Sequence, residues 1–207
     1  MIEAFDVILK YKSLQDGLRF VMTRNKSNLA PYHSLNHMLT VLKHCYRAMD
    51  YMDMLDDNHC ETLLVAALFH DYDHSMGRRD DAYNVVQAKK GLEFFVKNST
   101  WKDFDLDLLN SILDATQFPY IIKGDDLNPY QAIIRDADLM QIVEPDWVSH
   151  VILGLVEEMH YPLKELMVGE RNFLKNMEFH SEYGKMMQKT LGKKVWDDFK
   201  NLEKILK

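Results

Sequence analysis

The sequence is poor in cysteine, glycine and proline, and it lacks any long apolar run. Cysteine occurs only at Cys45 and Cys60, which excludes a disulfide framework and favours a reducing compartment. No apolar stretch approaches the ~20 residues that a membrane-spanning helix requires, so we expect no membrane contact. No signal or transit peptide is recognisable, since Glu3 and Asp6 make the start of the chain acidic. Together these absences predict a cytoplasmic protein.

An excess of positive charge is missing as well. The 25 lysine and arginine residues are outnumbered by 32 aspartate and glutamate residues, and the formal net charge is −7. This balance argues against a broad nucleic-acid-binding surface, although local basic groups can still meet a phosphate. Hydrophobic residues make up 47% of the chain and charged residues 28%, as is typical of a globular domain. We expect a single domain over residues 1–207, because a chain of this length needs no second core.

Apolar residues recur with helical spacing, whereas strand-like alternation bounded by hairpin turns is not found. The sequence therefore predicts an all-α fold, a compact set of helices with a site between the core helices. Ser75–Asp81 is expected to form a loop, and Asp56-Asp57-Asn58 is expected to cap the apolar helix that follows it. Apart from the histidine motifs, the expected helices are Glu3 to about Asn25, Tyr83–Val96, Asp105–Thr116, Gln131–Ile142, Asp146–His160, Pro162 to about Gly184, and Gly192 to the end.

Two histidines lie four residues apart in Pro31-Tyr32-His33-Ser34-Leu35-Asn36-His37. An apolar run follows them, which predicts a helix buried mainly on one side. Residues four apart share a helix face, so the imidazoles of His33 and His37 can point into one pocket. A lone histidine beside an apolar face is usually a hydrogen-bonded core or surface residue. The pair of histidines indicates a functional site only in combination with two further motifs.

Both of these motifs join polar side chains to apolar segments. Residues 63–69 are entirely apolar and lead into His70-Asp71-Tyr72-Asp73-His74, while residues 132–140 carry Asp136 and Asp138. An unpaired ionised carboxylate in such a segment is costly, and a divalent cation would remove the cost. Imidazole and carboxylate ligands suit zinc, iron, manganese or magnesium. The sequence therefore predicts a metal site, with both thiols outside these motifs.

The ordered motifs resemble the signature of the HD-domain metal-dependent phosphohydrolases: an early histidine, a contiguous His-Asp pair and a late aspartate. They are most similar to the motifs of class I cyclic nucleotide phosphodiesterases. The matching segments are Tyr32-His33-Ser34-x-x-His37, His70-Asp71-Tyr72-Asp73-His74 and Ala137-Asp138-Leu139, within about residues 30–140. Ser34 replaces an asparagine of that pattern, and Ser75-Met76-Gly77 replaces Pro-Gly. The chain is also shorter, and no late glutamine and phenylalanine for holding a purine are recognisable, so substrate identity does not transfer.

The resemblance implies a role for each matching residue. His37, His70, Asp71 and Asp138 would hold one tightly bound metal ion, and Asp71 would be able to bridge to a second ion. His33 would be the general acid, because histidine can donate a proton near neutral pH.

Weaker predictions concern the surroundings. His74 could hold a metal-bound water or the phosphate, and Asp73 or Asp136 could orient the ligand imidazoles. Arg78 and Arg79 could contact a substrate phosphate, although exposed loop arginines are more often simply solvated. The aromatic residues of 118–120 could stack on a base or pack on the core.

The resulting hypothesis is a metal-dependent phosphohydrolase that cleaves a small phosphoester by a metal-activated hydroxide, with His33 protonating the leaving group. A nucleotide is the expected partner, and a phosphodiesterase and a phosphomonoesterase would use the same residues. Two alternatives stay open. The site could bind a metal or nucleotide for regulation without turnover, or it could hold iron for oxygen chemistry. The second alternative is disfavoured because residues 115–120 supply no further histidine.

Overall fold

The computed structural model describes residues 3–55, 57, 59–101 and 104–206. Within these residues the chain consists of α-helices with short 3₁₀ and π segments and no β-strand, so the predicted all-α fold is confirmed. Short 3₁₀ turns lie at Gly124–Asp126 and Met140–Val143, and a π-helical segment at Val148–Leu153 leads directly into α8. The α-helices are α1 (Ala4–Ile8), α2 (Lys12–Arg24), α3 (Leu35–Tyr51), α4 (Cys60–Phe69), α5 (Asp81–Asn98), α6 (Leu106–Asp114), α7 (Pro129–Leu139), α8 (Gly154–Met159), α9 (Leu163–Asn176) and α10 (Glu182–Ile205).

Three predicted helix limits were wrong. The expected helix from Glu3 to Asn25 is interrupted between α1 and α2, and the apolar spacing that suggested continuity runs across this break. The helix expected from Pro162 to about Gly184 ends at Asn176, the last residue of α9. The expected interruption between Gly184 and Gly192 is absent, because α10 begins at Glu182 and continues through both glycines. Ser181 fixes this start, since its hydroxyl oxygen accepts a hydrogen bond from the Gly184 amide at 3.0 Å.

Helix α4 lies at the centre of the core. Every side chain from Leu63 to Phe69 is 0% exposed, and the helix contacts α2, α3, α5, α6 and α7. Burial on all sides explains why this helix has no polar face. Because α4 ends at Phe69, the next two residues, His70 and Asp71, emerge inside the protein.

The start of α4 differs from the predicted cap. His59 occupies the N-cap position and makes no capping hydrogen bond with its side chain. Asp57 accepts a hydrogen bond from the His59 amide at 2.7 Å, so it orders the turn before the helix. The other two residues of the predicted cap, Asp56 and Asn58, lie outside the described residues.

The C-terminal helices pack around a second group of buried apolar side chains, which are Ile142, Trp147, Val151, Ile152, Met167, Leu174, Val195 and Phe199. Val143 and Met177 contact both this group and the main core, which connects the two. In the described residues, no single helix is long and apolar enough to cross a membrane. The pair Pro129–Val143 and Val148–Met159, bent by 102°, meets that criterion only when its two parts are combined.

Candidate metal centre

The first histidine motif lies at the start of α3. Ser34 is the N-cap residue, and its hydroxyl oxygen accepts a hydrogen bond from the His37 amide at 3.4 Å. His37 therefore lies in the first turn of α3, whereas His33 precedes the helix. The prediction that both imidazoles share one helix face was wrong. The rings are nevertheless near each other, with centroids 6.2 Å apart and planes at 87°.

The four predicted ligand residues converge on one point. His37 Nε2 lies 2.9 Å from Asp138 Oδ1 and 3.5 Å from Asp71 Oδ2. His70 Nε2 lies 3.2 Å from Asp71 Oδ2 and 3.4 Å from Asp138 Oδ1. These side chains come from α3, from the end of α4 and from α7, three elements that pack against one another. The fold thus brings together residues that are far apart in the sequence.

The hydrogen bonding of His70 shows that a positive charge belongs in this cluster. Its Nδ1 lies 2.8 Å from the Ala67 carbonyl oxygen, which can only accept, so Nδ1 carries a proton. In the neutral ring, Nε2 would then point a lone pair at two carboxylate oxygens. Nε2 and Asp71 Oδ2 are both buried without a hydrogen-bond partner in the described chain. A proton or a metal ion between them would remove the repulsion.

The carboxylates and imidazoles of the cluster shift one another's pKa values. Burial lowers the pKa of His70, but the Asp71 and Asp138 carboxylates outweigh burial and raise it well above its usual value. Burial raises the pKa of Asp138, yet the hydrogen bond with His37 and the nearby His70 imidazole hold that pKa well below the usual range. The carboxylates therefore stay ionised and attract a cation.

The distances fit a metal ion. Ligand atoms bound at about 2.0–2.2 Å in tetrahedral or octahedral geometry lie about 3.0–3.6 Å from one another. The four nitrogen–oxygen distances of the cluster run from 2.9 to 3.5 Å. His37, His70 and Asp138 could thus hold a metal ion, and Asp71 Oδ2 faces the same space. The geometry suits zinc, manganese, magnesium and iron alike.

Glu158 completes the surroundings of His33 and was not predicted. Its Oε1 lies 2.5 Å from His33 Nδ1, and its Oε2 accepts hydrogen bonds from the Tyr32 and His33 amides, each at 3.0 Å. Glu158 is buried on α8. Its helical spacing from Val151 and Leu155 places it on an apolar face, which is the signal that could have identified it. The carboxylate fixes the orientation of the His33 ring.

The pKa of His33 reflects this pairing. Burial lowers it, but the Asp71 and Glu158 carboxylates outweigh burial, and the net result is a raised pKa. His33 therefore keeps its proton to higher pH than an exposed histidine. Since Glu158 holds Nδ1, the ring nitrogen that remains for a ligand is Nε2.

His33, His74 and Glu158 also lie close enough together to be considered as a second metal site. The distance of 2.5 Å between His33 Nδ1 and Glu158 Oε1 is shorter than the roughly 3 Å expected for two ligands of one ion. A direct, charge-assisted hydrogen bond explains that distance. The first cluster is therefore the better candidate for metal.

His74 packs against His33 and also lines the cavity that adjoins the metal centre. Its ring stacks on His33, with centroids 3.6 Å apart. The Met76 amide donates a hydrogen bond to His74 Nδ1 at 3.1 Å, and Asn84 Nδ2 lies 2.8 Å from Nε2. Burial and the neighbouring His33 lower the pKa of His74 to about 4. These contacts fix the ring against His33, and the contact of His74 with a metal-bound water or a phosphate stays a prediction.

The predicted orienting role of Asp73 and Asp136 was wrong. Asp73 accepts hydrogen bonds from the backbone amide and side chain of Lys26. Asp136 accepts from the His180 amide and from the amide and hydroxyl of Ser181, at 2.6–3.0 Å. Asp73 thus anchors the loop before α3, and Asp136 anchors the start of α10.

The two arginines of the 75–81 loop differ in position. A cavity of about 280 Å³ adjoins the metal centre and is lined by His33, Asp71, Asp138 and Arg79, among others. Arg79 is exposed, and its guanidinium carbon lies 5.9 Å from the centre of the Tyr83 ring. Arg78 is exposed and does not line this cavity. A phosphate contact remains a prediction for Arg79, and the geometry does not support one for Arg78.

A scan against protein-family models finds no match, and searches of curated proteins and of solved structures find no significant one. The similarity to HD-domain phosphohydrolases therefore remains a resemblance of short motifs. The assignment of a function depends on the geometry of the side chains themselves.

Proposed function

We propose that this chain is a metal-dependent phosphoric ester hydrolase of the HD type. The observation that carries the proposal is the adjacency of two buried arrangements. One is the cluster of His37, His70, Asp71 and Asp138, and the other is the hydrogen-bonded pair of His33 and Glu158. Hydrolysis of a phosphoester needs both kinds of group side by side, a place for a cation and a proton donor.

The carboxylate-rich cluster addresses the first difficulty of the reaction, which is the negative charge of the phosphoester. A divalent cation held there would neutralise phosphoryl oxygens and lower the pKa of water. The open side of the cluster faces the cavity of about 280 Å³, which can admit a phosphate group. A second ion bridged by Asp71 remains a prediction.

His33 addresses the second difficulty, which is the departure of the leaving group. The oxygen of water forms a bond to phosphorus, the bond from phosphorus to the leaving oxygen breaks, and that oxygen takes up a proton. His33 can donate the proton from Nε2 because Glu158 occupies Nδ1. The Asp71 and Glu158 carboxylates raise the pKa of His33, so the ring keeps this proton to higher pH than an exposed histidine would. The attacking water releases a proton to solvent, and His33 takes up a proton from solvent, so the protons balance.

The paired His33 favours turnover over binding alone. A site that only held a metal or a nucleotide would gain nothing from a buried carboxylate that keeps a neighbouring histidine charged. Burying Glu158 is costly unless it is paired. Its direct partner is His33 Nδ1 at 2.5 Å, whereas His74 Nδ1 lies 3.5 Å from the same oxygen. A catalytic acid accounts for that arrangement.

The test combines elemental analysis with turnover. Purified protein is assayed with bis-p-nitrophenyl phosphate, p-nitrophenyl phosphate and a panel of cyclic and linear nucleotides, with and without added manganese. We expect bound metal and metal-dependent product release, both lost in Asp138→Asn. Asp197→Asn, at an exposed position of α10, is the matched control and should behave as the wild type. Bound metal without turnover of any ester would overturn the proposal in favour of a regulatory or oxygen-using site.

A further inference from the structure

A second cavity, of about 360 Å³, adjoins the metal centre. It shares His33, Thr116, Phe118 and Asp138 with the first cavity. An organic group attached to a phosphate at the metal centre would therefore extend into this space. Aromatic side chains form much of its wall, namely Tyr32, Phe118, Tyr120, Tyr161 and Phe173.

Glu170, on α9, also lines this second cavity. The residue is only 7% exposed, and its Oε1 is buried without a hydrogen-bond partner in the described chain. Burial is the cause that raises the pKa of its carboxyl to about 7. A buried carboxyl that lacks a partner is costly and calls for an explanation. A ligand group that pairs with Glu170 would supply one.

The charge of the cavity indicates the nature of that group. Glu165 and Asp138 line it as well, and the described residues of its wall include no lysine or arginine. His33 also lines the cavity, but its ring is paired with Glu158. The guanidinium of Arg135 lies 4.0 Å from the centre of the Tyr120 ring. Arg135 is outside the wall of this cavity and donates hydrogen bonds to the Ala115 and Ile122 carbonyls. The space is therefore both aromatic and acidic.

We propose that this cavity binds an ammonium group carried by the substrate, so that the natural substrate is a phosphoester of an amino alcohol. The inference rests on the proposed hydrolase function. Aromatic faces and a carboxylate both attract an ammonium ion. A nucleobase could stack on the same rings, but a neutral base would not supply the positive charge that pairs with an ionised Glu170. The phosphate would lie at the metal centre while the ammonium group contacts Glu170.

Two chromogenic diesters with the same leaving group test this proposal. One is p-nitrophenyl phosphorylcholine, and the other is its uncharged carbon isostere, p-nitrophenyl 3,3-dimethylbutyl phosphate. With metal-loaded protein we expect kcat/KM to be about 10- to 30-fold higher for the choline ester. In Glu170→Gln the ratio of the two values should fall toward one. Glu93→Gln is the charge-matched control, and because Glu93 is exposed on α5 and lies outside the wall of this cavity the ratio should change less than about 2-fold.

A binding measurement separates this inference from the proposed function. Calorimetry with tetramethylammonium reports on the cavity without requiring turnover. Binding that is lost in Glu170→Gln, without hydrolysis of any ester, would support the cavity and overturn the hydrolase. Hydrolysis of bis-p-nitrophenyl phosphate with equal kcat/KM for the two test diesters would support the hydrolase function and overturn the ammonium site. A preference for a guanine nucleotide over the choline ester would have the same meaning.

The same ammonium chemistry occurs in free phosphodiesters and in lipid headgroups. Glycerophosphocholine and phosphatidylcholine vesicles, compared at equal headgroup concentration, distinguish the two sources. Given the enclosed position of Glu170, we expect hydrolysis of the soluble ester. Hydrolysis of neither compound, together with no tetramethylammonium binding, would overturn the proposal.

Discussion

The pairing of His33 with Glu158 leads to a quantitative prediction for Glu158→Gln. Glutamine is nearly isosteric with glutamate. Its side-chain oxygen can still accept the hydrogen bonds that the backbone amides of Tyr32 and His33 donate to Glu158 Oε2. What it removes is the negative charge 2.5 Å from His33 Nδ1. The substitution therefore changes the acidity of His33 while it preserves the local packing.

The size of the effect follows from the kind of hydrogen bond that is lost. A hydrogen bond to a charged group is worth roughly 1–2 kcal/mol more than a neutral one. One pH unit corresponds to about 1.4 kcal/mol, so we expect the pH dependence to move by about one unit. Its direction is fixed, because Glu158 raises the pKa of His33 and removing the charge lowers it. His33 acts when protonated, so activity is lost as pH rises through that pKa, and the variant loses it at lower pH.

The assay is a pH–rate profile of kcat for an alkyl phosphoester, whose leaving oxygen needs a proton. We expect the alkaline limb of the Glu158→Gln profile to lie about one pH unit below that of the wild type. With a p-nitrophenyl ester, which leaves without help from an acid, the two profiles should differ much less. Metal content should be unchanged, since Glu158 lies outside the His37, His70 and Asp138 group.

Glu157→Gln provides the matched control. Glu157 is the preceding residue on α8, but it is exposed, so its loss should leave the profile in place. Circular dichroism and Tm confirm that each variant is folded. An alkaline limb that stays at the wild-type pH in folded Glu158→Gln would refute the argument that Glu158 sets the acidity of a catalytic His33.

Three further predictions concern the ligands, the acid and the fold. Asp71→Ala should lose both metal and activity, and full metal content by elemental analysis would contradict its role as a ligand. His33→Ala should keep the metal but lower kcat by about 10²–10⁴-fold on an alkyl ester, with a smaller loss on p-nitrophenyl esters; equal losses would remove His33 from the acid role. Gly184→Ala should lower the free energy of unfolding by about 1–3 kcal/mol, because its Cβ would collide with the Asp136 carboxylate. The control Gly192→Ala, whose Cβ would meet only Gln188 Cγ at 3.8 Å, should be neutral or stabilising by up to about 1 kcal/mol in denaturant titrations.

Local sequence patterns predicted the all-α class and a metal site, although not every helix limit. The fully apolar segment before His70 predicted a buried helix, and α4 is such a helix. The cost of carboxylates within apolar segments indicated a cation, and both inferences depend on features that a single segment already reveals. The set of ligand residues came from the motif resemblance, and Asp71 and Asp138 do lie beside the imidazoles of His37 and His70.

Contacts between distant segments were beyond such patterns. Glu158 lies 125 residues from His33, and no local spacing relates the two. Asp136 accepts hydrogen bonds from the amide and the hydroxyl of Ser181, which is 45 residues away. Its position close to Asp138 in the sequence therefore wrongly suggested a role beside the ligand imidazoles. In a helix, residues two apart point in different directions, which is why Asp136 and Asp138 serve different neighbours.

The π-helical segment at Val148–Leu153 has a consequence for how this protein can vary. A π segment accommodates about one residue more than an α-helix of the same length, and each residue of an α-helix turns the chain by about 100°. Deleting one residue from 148–153 would let the chain continue as regular α-helix, and Glu158, just downstream in α8, would keep nearly its present direction because the π segment already holds the extra residue. Deleting one residue from 154–157, where the helix is regular, would instead rotate Glu158 by about 100° away from His33. The tolerance of this region to the loss of one residue therefore differs between two adjacent segments of the same helical stretch.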